Sequence, residues 1–523
     1  MSEAQYGLTR RSALLGGVAA VTAPWLLAAC GSGSGSSPQA AAATGTAQTG
    51  GTMHIARPPA SDAETLDPAS SLSAYEYLGA LYSRLVKQAP DGTATPDLAT
   101  HWESTTDSLK WTFTLRDGVK FHNGKAFTSA DAAYTLVHIL DPATKSPQAG
   151  VLSPFLDKSG IATPDAKTLV ITLKSPNAEF VSLLMNYNCY VIPENSASTI
   201  GASGIGTGPF QLVAFKAAGK GSVKANAGYF GGKPKLDAIE FTAIADVQAR
   251  VNALLAGQVD LVAQTNLDYA TSKTVAASST ATTATVKNAE WYVLPMLCTL
   301  APFTDVKVRQ AFKLAYQPQE VLDLAVHGRG TVANNNPVIP TDAYYLDYKV
   351  TPDPEKAKSL LQAAGLLAKG QDLYTSSYDS VLTPMALAYQ ASAKKAGLTV
   401  NVKTAAADSY YTDIWIKKPW CASYWYTGRP IDQLLNQIFR AGSSYNETLW
   451  SDPTFGSALD AARKEPDQAK RKQHYQDAQK ILVDSSGSIV PFFADRTVGL
   501  SKKVVNYTEY GFEFDYLNIG FRQ

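Results

Sequence analysis

The chain has 523 residues, of which 45% are hydrophobic and 17% charged, so it can bury a large core. That composition excludes a wholly disordered chain, and the length excludes a single small domain. The 46 lysines and arginines are balanced by 45 aspartates and glutamates, giving a formal net charge of +1. Such a balance offers no electrostatic attraction for nucleic acid or for an anionic lipid surface, so neither is expected as a partner.

The first thirty residues are typical of an export signal. A polar start leads to Arg10 and Arg11, an apolar stretch over 13–29, and the run LLAAC that ends at Cys30. The stretch is too short, and too interrupted by glycine and proline, to span a membrane as a helix, so residues 1–29 are interpreted as a signal. The arginine pair resembles a twin-arginine signal, and export by the general route stays open as the alternative.

The segment around Cys30 predicts a membrane anchor. LLAAC resembles a bacterial lipobox, in which the cysteine sulfur receives a lipid before cleavage. The resemblance implies a lipoprotein held at the outer face of the cytoplasmic membrane, in the periplasm or at the cell surface. A plain secretory signal with a chance cysteine is the alternative. Residues 30–50 are rich in Gly, Ser and Ala without apolar periodicity, which predicts a flexible tether.

From residue 51 onward, strand patterns alternate with helix patterns. The apolar alternation in LKWTFTLRDGVKF, with a turn at Asp117 and Gly118, predicts a half-buried hairpin. Thr128 is predicted to begin a helix because its hydroxyl can cap exposed backbone amides. Residues 168–174 are predicted to form another strand.

The second half of the chain carries a crossover pattern. Asp353 and Pro354 are predicted to open a helix, with proline at the tolerated first position. A strand near 372–376, a helix over 384–396 and a strand over 398–403 predict a β-α-β unit and therefore a parallel strand pair. The sequence thus predicts an α/β fold with two bodies joined without a flexible linker, and a ligand between them.

A search for reactive groups does not favour an enzyme. The six histidines lack HxH and HxxxH spacing, the glycine-rich GASGIGTGPF lacks the lysine that reaches phosphate, and no GxSxG motif is present. Cys189, Cys298 and Cys421 lie far apart and are interpreted as buried apolar residues, with a pair among them left open. No catalytic residue, metal site or cofactor is predicted.

One segment has the residue types of a binding pocket. Tyr424, Trp425 and Tyr426 precede Arg429 and Asp432 around a Gly-Arg-Pro turn. Flat aromatic faces bind apolar groups, the guanidinium can hold a carboxylate, and the aspartate can pair with an ammonium group. Core aromatics beside a surface ion pair are the alternative interpretation.

Several separate motifs carry a resemblance to a known family. The body resembles the bacterial extracellular solute-binding proteins of family 5, the oligopeptide, dipeptide and nickel type that feed ABC importers. The motifs are, in chain order, TLDPASSLSAYEYLGALYSRLV, TPDLATHWESTTDSLKWTFTLRDGVKFHNGKAFTSADAAYTL, GTGPFQLVAF, NAGYFGGKPKLDAIEF, ARVNALLAGQVDLV, FTDVKVRQAFKLA, DPEKAKSLLQAAG and YNETLWSDPTFGSALDAARKEPDQAKRKQHYQDAQKIL.

The resemblance implies a two-lobed clamshell of the periplasmic-binding-protein type (class II, large cluster C type) with an extra subdomain in the first lobe. Residues 51–290 and 490–523 are assigned to lobe I, and residues 291–489 to lobe II. The implied protein is a monomer without enzymatic activity. Its lobes close on a peptide-like or other small solute, and the permease subunits of an ABC transporter then receive it.

The resemblance also directs attention to particular cleft residues. In peptide-binding members an acidic residue after the aromatic strand holds the ligand's amino group, and Asp432 occupies a similar place. Trp425 and Arg429 are expected beside it, with further candidates at Tyr75, Tyr424, Tyr426, Asn446 and Trp450. Two alternatives stay open: a non-peptide ligand such as an opine-like conjugate, a sugar or a metal chelate, and an exported hydrolase on the same scaffold.

Overall fold

The computed structural model describes residues 40–41, 44–60, 63–89, 92–367, 369–407, 409–510 and 513–523. The predicted signal and the predicted lipidation site at Cys30 lie outside the described residues. No helix in the described part of the chain is both long enough and apolar enough to cross a membrane.

Helices are distributed along the whole described chain. They are α1 Tyr75–Leu81, α2 Ser129–Leu140, α3 Ala149–Leu152, α4 Phe180–Leu183, α5 Ile200–Ser203, α6 Val247–Leu255, α7 Tyr269–Ala276, α8 Val306–Leu314, α9 Pro318–Val326, α10 Pro354–Ala363, α11 Leu382–Ala393, α12 Tyr410–Asp413, α13 Ile431–Ile438, α14 Pro453–Lys464 and α15 Gln468–Ser485.

Strands alternate with these helices. They are β1 Ala40–Ala41, β2 Thr52–Arg57, β3 Val86–Gln88, β4 Ala94–Pro96, β5 Ala99–Ser104, β6 Lys110–Leu115, β7 Ile161–Asp165, β8 Thr168–Thr172, β9 Phe210–Phe215, β10 Lys220–Ala225, β11 Ala238–Ala243, β12 Leu261–Val262, β13 Ala281–Pro295, β14 Gly330–Val332, β15 Gln371–Ser376, β16 Val400–Ala405, β17 Ser423–Tyr426, β18 Ser488–Ile489, β19 Phe492–Ser501, β20 Val504–Val505, β21 Thr508–Tyr510, β22 Glu513–Phe514 and β23 Gly520–Phe521.

Helix starts follow the local chemistry of their first residues. Helix α2 begins directly after Thr128, whose backbone N–H and hydroxyl both donate to Asp131 Oδ2, at 2.9 and 3.1 Å. At α10 the carboxylate of Asp353 accepts from the Lys356 N–H at 2.9 Å, and Pro354 occupies the first helical position. Both predicted starts are confirmed.

The buried apolar residues fall into two groups that differ in chain position. Three core clusters draw on residues 53–289 and 498–519, and we call this part the first body. Two further clusters draw on residues 291–494, and we call this part the second body. One cluster of the first body, over 69–191, packs around the sheet β5-β6-β8-β7.

Two long strands connect the bodies. The largest sheet has the order β17-β13-β19-β12-β2-β11-β10-β9, and in it β13 and β19 run antiparallel from the first body into the second. Their register shifts between Val286 and Glu290, where Asn288 has φ of 49°. Asp495 secures this bulge by accepting from Lys287 Nζ at 2.6 Å and from the Asn288 N–H at 2.9 Å. The chain therefore passes between the bodies at a defined irregularity in a strand pair.

The predicted crossover is confirmed and the predicted hairpin is wrong. Strands β15 and β16 are parallel, in register from Gln371 opposite Val400, with α11 between them in sequence. Strand β6 instead pairs with β5 and β8, and residues after the Asp117–Gly118 turn form only a bridge between Lys120 and Ala126. The turn after β6 was interpreted as the hairpin turn, whereas β6 pairs with the strand that precedes it, β5, and with the distant β8.

The predicted tether ends earlier than Gly50. The Gln48 N–H donates to Phe521 O at 2.9 Å, and the Gly50 N–H donates to Lys235 O at 2.7 Å. Gly45 N–H donates to the side chain of Asn506 at 3.1 Å. The tether was predicted from a composition without apolar periodicity. Side-chain periodicity does not reveal that the backbone of these residues pairs with the distant C-terminus. The described cysteines Cys189, Cys298 and Cys421 are free.

Candidate functional site

The aromatic segment singled out in the sequence forms an edge strand where the two bodies meet. Strand β17 pairs antiparallel with β13 and sets Tyr426 opposite Glu290 and Trp425 opposite Trp291. Successive side chains of a strand point to opposite faces. Tyr424 and Tyr426 therefore share one face of the sheet, and Trp425 lies on the other.

Trp425 and Tyr424 pack into the second body as half-buried rings. Trp425 stacks on Trp291 with ring centres 6.1 Å apart, and its Nε1–H donates to Glu447 Oε1 at 2.8 Å. Tyr424 stacks on Tyr292 at 5.7 Å. These contacts hold the Trp425 and Tyr424 rings in place on opposite faces of β17.

Arg429 places a positive charge beside the ring of Trp425. Its Nη1–H donates to Tyr426 O at 2.9 Å, its Nε–H donates to Gln437 Oε1 at 3.3 Å, and its guanidinium lies 5.4 Å from the Trp425 ring centre. Among the described residues no carboxylate forms an ion pair with Arg429, and burial lowers the pKa of its guanidinium. An uncompensated, partly desolvated cation can receive an anionic group.

Tyrosines of the first body face Arg429. Tyr75, at the start of α1, packs edge-on against Tyr187 with ring centres 4.8 Å apart. Both tyrosines lie within electrostatic range of Arg429, as does Tyr426 of the second body. Arg429, Tyr75 and Tyr426 are therefore brought together across the boundary between the bodies, although 354 positions separate the first two.

Asp432 lies next to this group in sequence but points away from it. Its carboxylate is fully buried and accepts two hydrogen bonds from Arg463, both at 2.8 Å. It also accepts from Tyr475 Oη at 3.1 Å and from Asn436 Nδ2 at 3.0 Å. The acceptor positions expected for a ligand ammonium group are thus occupied by protein donors, a consequence of long-range packing that the local motif did not reveal.

Asn446 and Trp450 lie inside the second body. Asn446 Nδ2 donates to Trp450 O at 2.7 Å, and the Trp450 ring packs on Phe455 at 5.0 Å. Neither is brought to the cleft. Tyr445, which the sequence analysis missed, is exposed on this loop and packs edge-on against Trp425 at 6.0 Å. Its place before the buried Asn-Glu-Thr run was the available signal.

A small cavity of about 70 Å³ adjoins Tyr75 and Tyr426 near the strand crossing. Glu76 lines it from α1 and Arg496 lines it from β19. Burial raises the pKa of Glu76 to about 7. Sequence analysis missed Glu76, and the available signal was a glutamate among the apolar residues of YEYLGAL.

A larger cavity of about 960 Å³ opens between the bodies, and it is lined by Gln437, which accepts a hydrogen bond from Arg429. Pro147, Phe155 and Pro176 line it from the first body, and Gln437, Arg440 and Tyr445 line it from the second. Within the described residues, no three His, Cys, Asp or Glu side chains come together as metal ligands. The arrangement is therefore a cleft with aromatic walls and room for a small organic molecule, beside an arginine that has no carboxylate partner among the described residues.

Comparison with known proteins identifies the kind of molecule that has this cleft. A family model described as bacterial extracellular solute-binding proteins, family 5 Middle, matches residues 93–446, about two thirds of the chain. The chain belongs to this family. The predicted resemblance is thereby confirmed, and the family is one of binding proteins located outside the cytoplasm.

Individual relatives agree with the assignment. Haem-binding protein A of Haemophilus influenzae is 31% identical over 313 residues, 54% of this chain and 56% of that protein. Glutathione-binding protein GsiB of Pectobacterium atrosepticum is 27% identical over 407 residues, 74% of this chain and 78% of that protein. This family 5 chain thus spans little more than half of the first relative and over three quarters of the second.

A solved structure establishes the fold. The ABC transporter substrate-binding protein CtaP of Listeria monocytogenes matches with a TM-score of 0.80 at 20% identity, covering 91% of this chain and all of that one. The predicted class, a two-lobed α/β clamshell, is confirmed. The ligands in the relatives' names differ, so family membership leaves the solute to be argued from the cleft.

Proposed function

We propose that this family 5 protein captures a small, carboxylate-bearing, peptide-like solute outside the cytoplasmic membrane and delivers it to the permease subunits of an ABC importer. The observation that supports this choice of solute is Arg429. Its guanidinium donates to Gln437, a residue that lines the larger cavity, and has no carboxylate partner among the described residues. A ligand carboxylate would supply the missing counter-charge through charge-assisted hydrogen bonds.

Closure of the lobes would couple binding to delivery. Arg429 belongs to the second body, whereas Tyr75 and Tyr187 belong to the first. A solute that contacts both sets has its full complement of contacts only in the closed form, so binding shifts the population toward closure. We place the lobes at residues 51–290 with 490–523, and at 291–489, with the hinge at the β13–β19 irregularity.

The proposed site differs from the one expected from sequence. Arg429, Tyr75 and Tyr426 contact the solute, the Trp425 ring packs against the guanidinium of Arg429, and Tyr424 packs against Tyr426. We leave out Asp432 because its carboxylate is fully occupied by Arg463, Tyr475 and Asn436. We leave out Asn446 and Trp450 because they are core residues of the second body, and we propose no covalent chemistry at the cleft.

Mass spectrometry of the solute that copurifies with the native protein, followed by calorimetric titration of that compound, tests the proposal. Arg429→Gln should weaken binding about 10- to 100-fold, the loss expected for a hydrogen bond between charged groups. The exposed Arg522→Gln is the control and should bind like the native protein. An unchanged affinity in Arg429→Gln, or a copurifying solute without an anionic group such as a neutral sugar, would refute it.

Anchoring and the absence of catalysis are tested separately. Cys30→Ser should release the protein from the membrane fraction of cells that express it, whereas the wild type should sediment with membranes. Size-exclusion chromatography of the released form should give a monomer. Peptides incubated with the purified protein should remain intact, and cleavage abolished by a single carboxylate or serine substitution would favour the hydrolase alternative.

A further inference from the structure

A buried carboxylate without a hydrogen-bond donor lines the small cavity. Glu76 is 8% exposed, and neither of its carboxylate oxygens has a hydrogen-bond partner. Ionising a buried carboxylate that has no donors is unfavourable, as it is when one partner of a buried ion pair is removed. A carboxylate in this state, aimed into a cavity, is suited to a donor that arrives with a ligand.

Two carboxylates near Glu76 do receive hydrogen bonds from protein donors. Glu64 accepts two hydrogen bonds from Arg57 at 2.7 and 2.8 Å. Glu509 accepts from Arg496 and from Tyr507. Arg57 and Arg496 each form their ion pair with a glutamate other than Glu76. Of the glutamates Glu64, Glu76 and Glu509, Glu76 alone therefore lacks a hydrogen-bond donor.

The cavity walls suit a cation. Side chains from both bodies supply aromatic rings around the carboxylate; they are Tyr75, Tyr426, Tyr507, Phe514 and Tyr516. Aromatic faces attract ammonium groups, most strongly where water is excluded. A volume of about 70 Å³ exceeds the space for one water and accommodates a small group, but not a whole peptide.

The formal charges around the cavity are negative in sum. Glu76, Glu509 and Arg496 line it, and Glu290 lies within electrostatic range of Glu509 and Arg496. Arg57 lies close to Glu76 but is already paired with Glu64. A ligand cation would therefore reduce an unbalanced negative charge as well as supply the missing donor.

A second unpartnered polar group lies in the same wall. The Nε2 atom of Gln264 is buried and has no hydrogen-bond partner, and the residue has φ of 47°. An amide N–H in this position is able to donate to a carbonyl or ether oxygen adjacent to a cationic group. Carboxylate and amide together match a cation that carries a neighbouring acceptor, such as an α-amino group beside its carbonyl.

The same two tyrosines adjoin both the small cavity and Arg429. Tyr75 and Tyr426 line the cavity, and both are within electrostatic range of Arg429. Glu76 belongs to the first body and Arg429 to the second. A solute with one cationic and one anionic group can therefore contact both bodies at once, each through the charge that lacks a partner.

We propose that the small cavity is a cation subsite, in which Glu76 binds an ammonium-type group of a zwitterionic solute whose carboxylate is held by Arg429. This rests on the proposed function and narrows its solute class. The role that the sequence analysis gave to Asp432 passes to Glu76. The two charged groups divide between the lobes, so a solute lacking either group would not stabilise closure to the same extent.

A paired panel of solutes tests the subsite by thermal shift and calorimetry. Amino acids, unblocked di- and tripeptides, betaines and amino-acid conjugates are each compared with an N-acetylated or deaminated analogue that keeps the carboxylate. Wild-type protein should bind at least one cationic member, and its uncharged analogue at least tenfold more weakly. Glu76→Gln should bind both members of that pair equally, whereas the exposed Glu103→Gln should keep the discrimination.

The outcomes separate the two proposals. If Glu76→Gln keeps the tenfold discrimination, or the best binders are carboxylates without a cationic group, or no cationic member binds, the cation subsite is refuted. If the paired discrimination is lost in Glu76→Gln but Arg429→Gln binds as wild type, the subsite stands and the carboxylate site at Arg429 is refuted. Melting temperatures of the ligand-free variants show that each variant is folded.

Discussion

Two buried carboxylates in this protein have the same local position and opposite surroundings. Asp432 is the second residue of α13 and Glu76 is the second residue of α1, and they are 0% and 8% exposed. Asp432 accepts hydrogen bonds from Arg463, Tyr475 and Asn436. Glu76 accepts none from another side chain and faces a cavity.

The contrast shows that burial alone does not identify a binding residue. A carboxylate whose acceptor positions are all filled by protein donors stabilises the fold, because its desolvation is compensated within the chain. A buried carboxylate without protein donors destabilises the ligand-free protein, and a ligand that supplies a donor can remove that destabilisation. Counting donors, rather than ranking residues by type or by nearness to a motif, separates the two cases here.

The largest expected effect is loss of the satisfied carboxylate. Asp432→Ala leaves the buried guanidinium of Arg463 and the hydroxyl of Tyr475 without their acceptor, so the free energy of unfolding should fall by about 3–5 kcal/mol. Urea denaturation measures it, with the exposed Asp413→Ala as the matched control that should change little. A loss below 1 kcal/mol in Asp432→Ala would show that the pair does not support the fold as described.

Replacement of Glu76, the carboxylate without donors, should raise the free energy of unfolding, by an amount that depends on pH. Burial raises the pKa of Glu76 to about 7 from its ordinary 4.5. Between these values the folded protein retains a proton that the unfolded chain has lost, so ionising Glu76 lowers stability as the pH rises toward 7. Glu76→Gln should therefore stabilise the ligand-free protein by up to about 3 kcal/mol at pH 8 and by nothing at pH 4.

Urea unfolding of wild type and Glu76→Gln at the two pH values gives this difference directly. Shifts that both proteins share, including the raised pKa of Glu290, cancel in the comparison. Equal stabilities of wild type and variant at pH 4 and pH 8 would contradict the donor-free environment of Glu76.

A satisfied carboxylate between the bodies should affect closure rather than folding. Glu179 of the first body pairs with Arg471 of the second at 2.7 Å and accepts from Tyr344 Oη at 2.8 Å. Glu179→Gln should weaken ligand affinity about three- to tenfold, equivalent to about 1 kcal/mol, because it destabilises the closed form. Small-angle scattering of the ligand-free variant should show a larger radius of gyration; unchanged scattering and affinity would remove this pair from the account.

The smallest effect belongs to an exposed pair that looks equally well formed. Arg440 donates to both oxygens of Asp460, at 2.7 and 2.8 Å, and this hydrogen bonding lowers the pKa of that carboxyl. The side chains are 32% and 46% exposed, so water screens their interaction. Asp460→Asn should change the free energy of unfolding by less than about 1 kcal/mol at pH 7. A loss comparable with that of Asp432→Ala would mean that exposure does not explain the difference between the pairs.

Sequence reasoning succeeded where a signal is local or recurs in a known order. The β15-α11-β16 crossover, the starts of α2 and α10, and the family were readable because each depends on nearby residues or on ordered motifs. The position of Arg429 beside the aromatic strand was also readable from the motif. Its lack of a counter-ion is a property of the folded chain and was not visible in the motif.

The failures have a common physical cause in contacts distant along the chain. Asp432 was misplaced because its partner Arg463 lies 31 positions further on. Glu76 was missed because the rings around it come largely from the C-terminal residues 507–516. The predicted tether was too long because the backbone of residues 45–50 pairs with distant parts of the chain, including its end.

A crystal structure of the protein with its copurified or best-binding solute tests the central claim most directly. We expect one molecule that touches both bodies, with a carboxylate on the guanidinium of Arg429 and an ammonium-type nitrogen within hydrogen-bond distance of the Glu76 carboxylate. A solute held entirely by one body, or one that leaves both Arg429 and Glu76 without a ligand partner, would contradict the account.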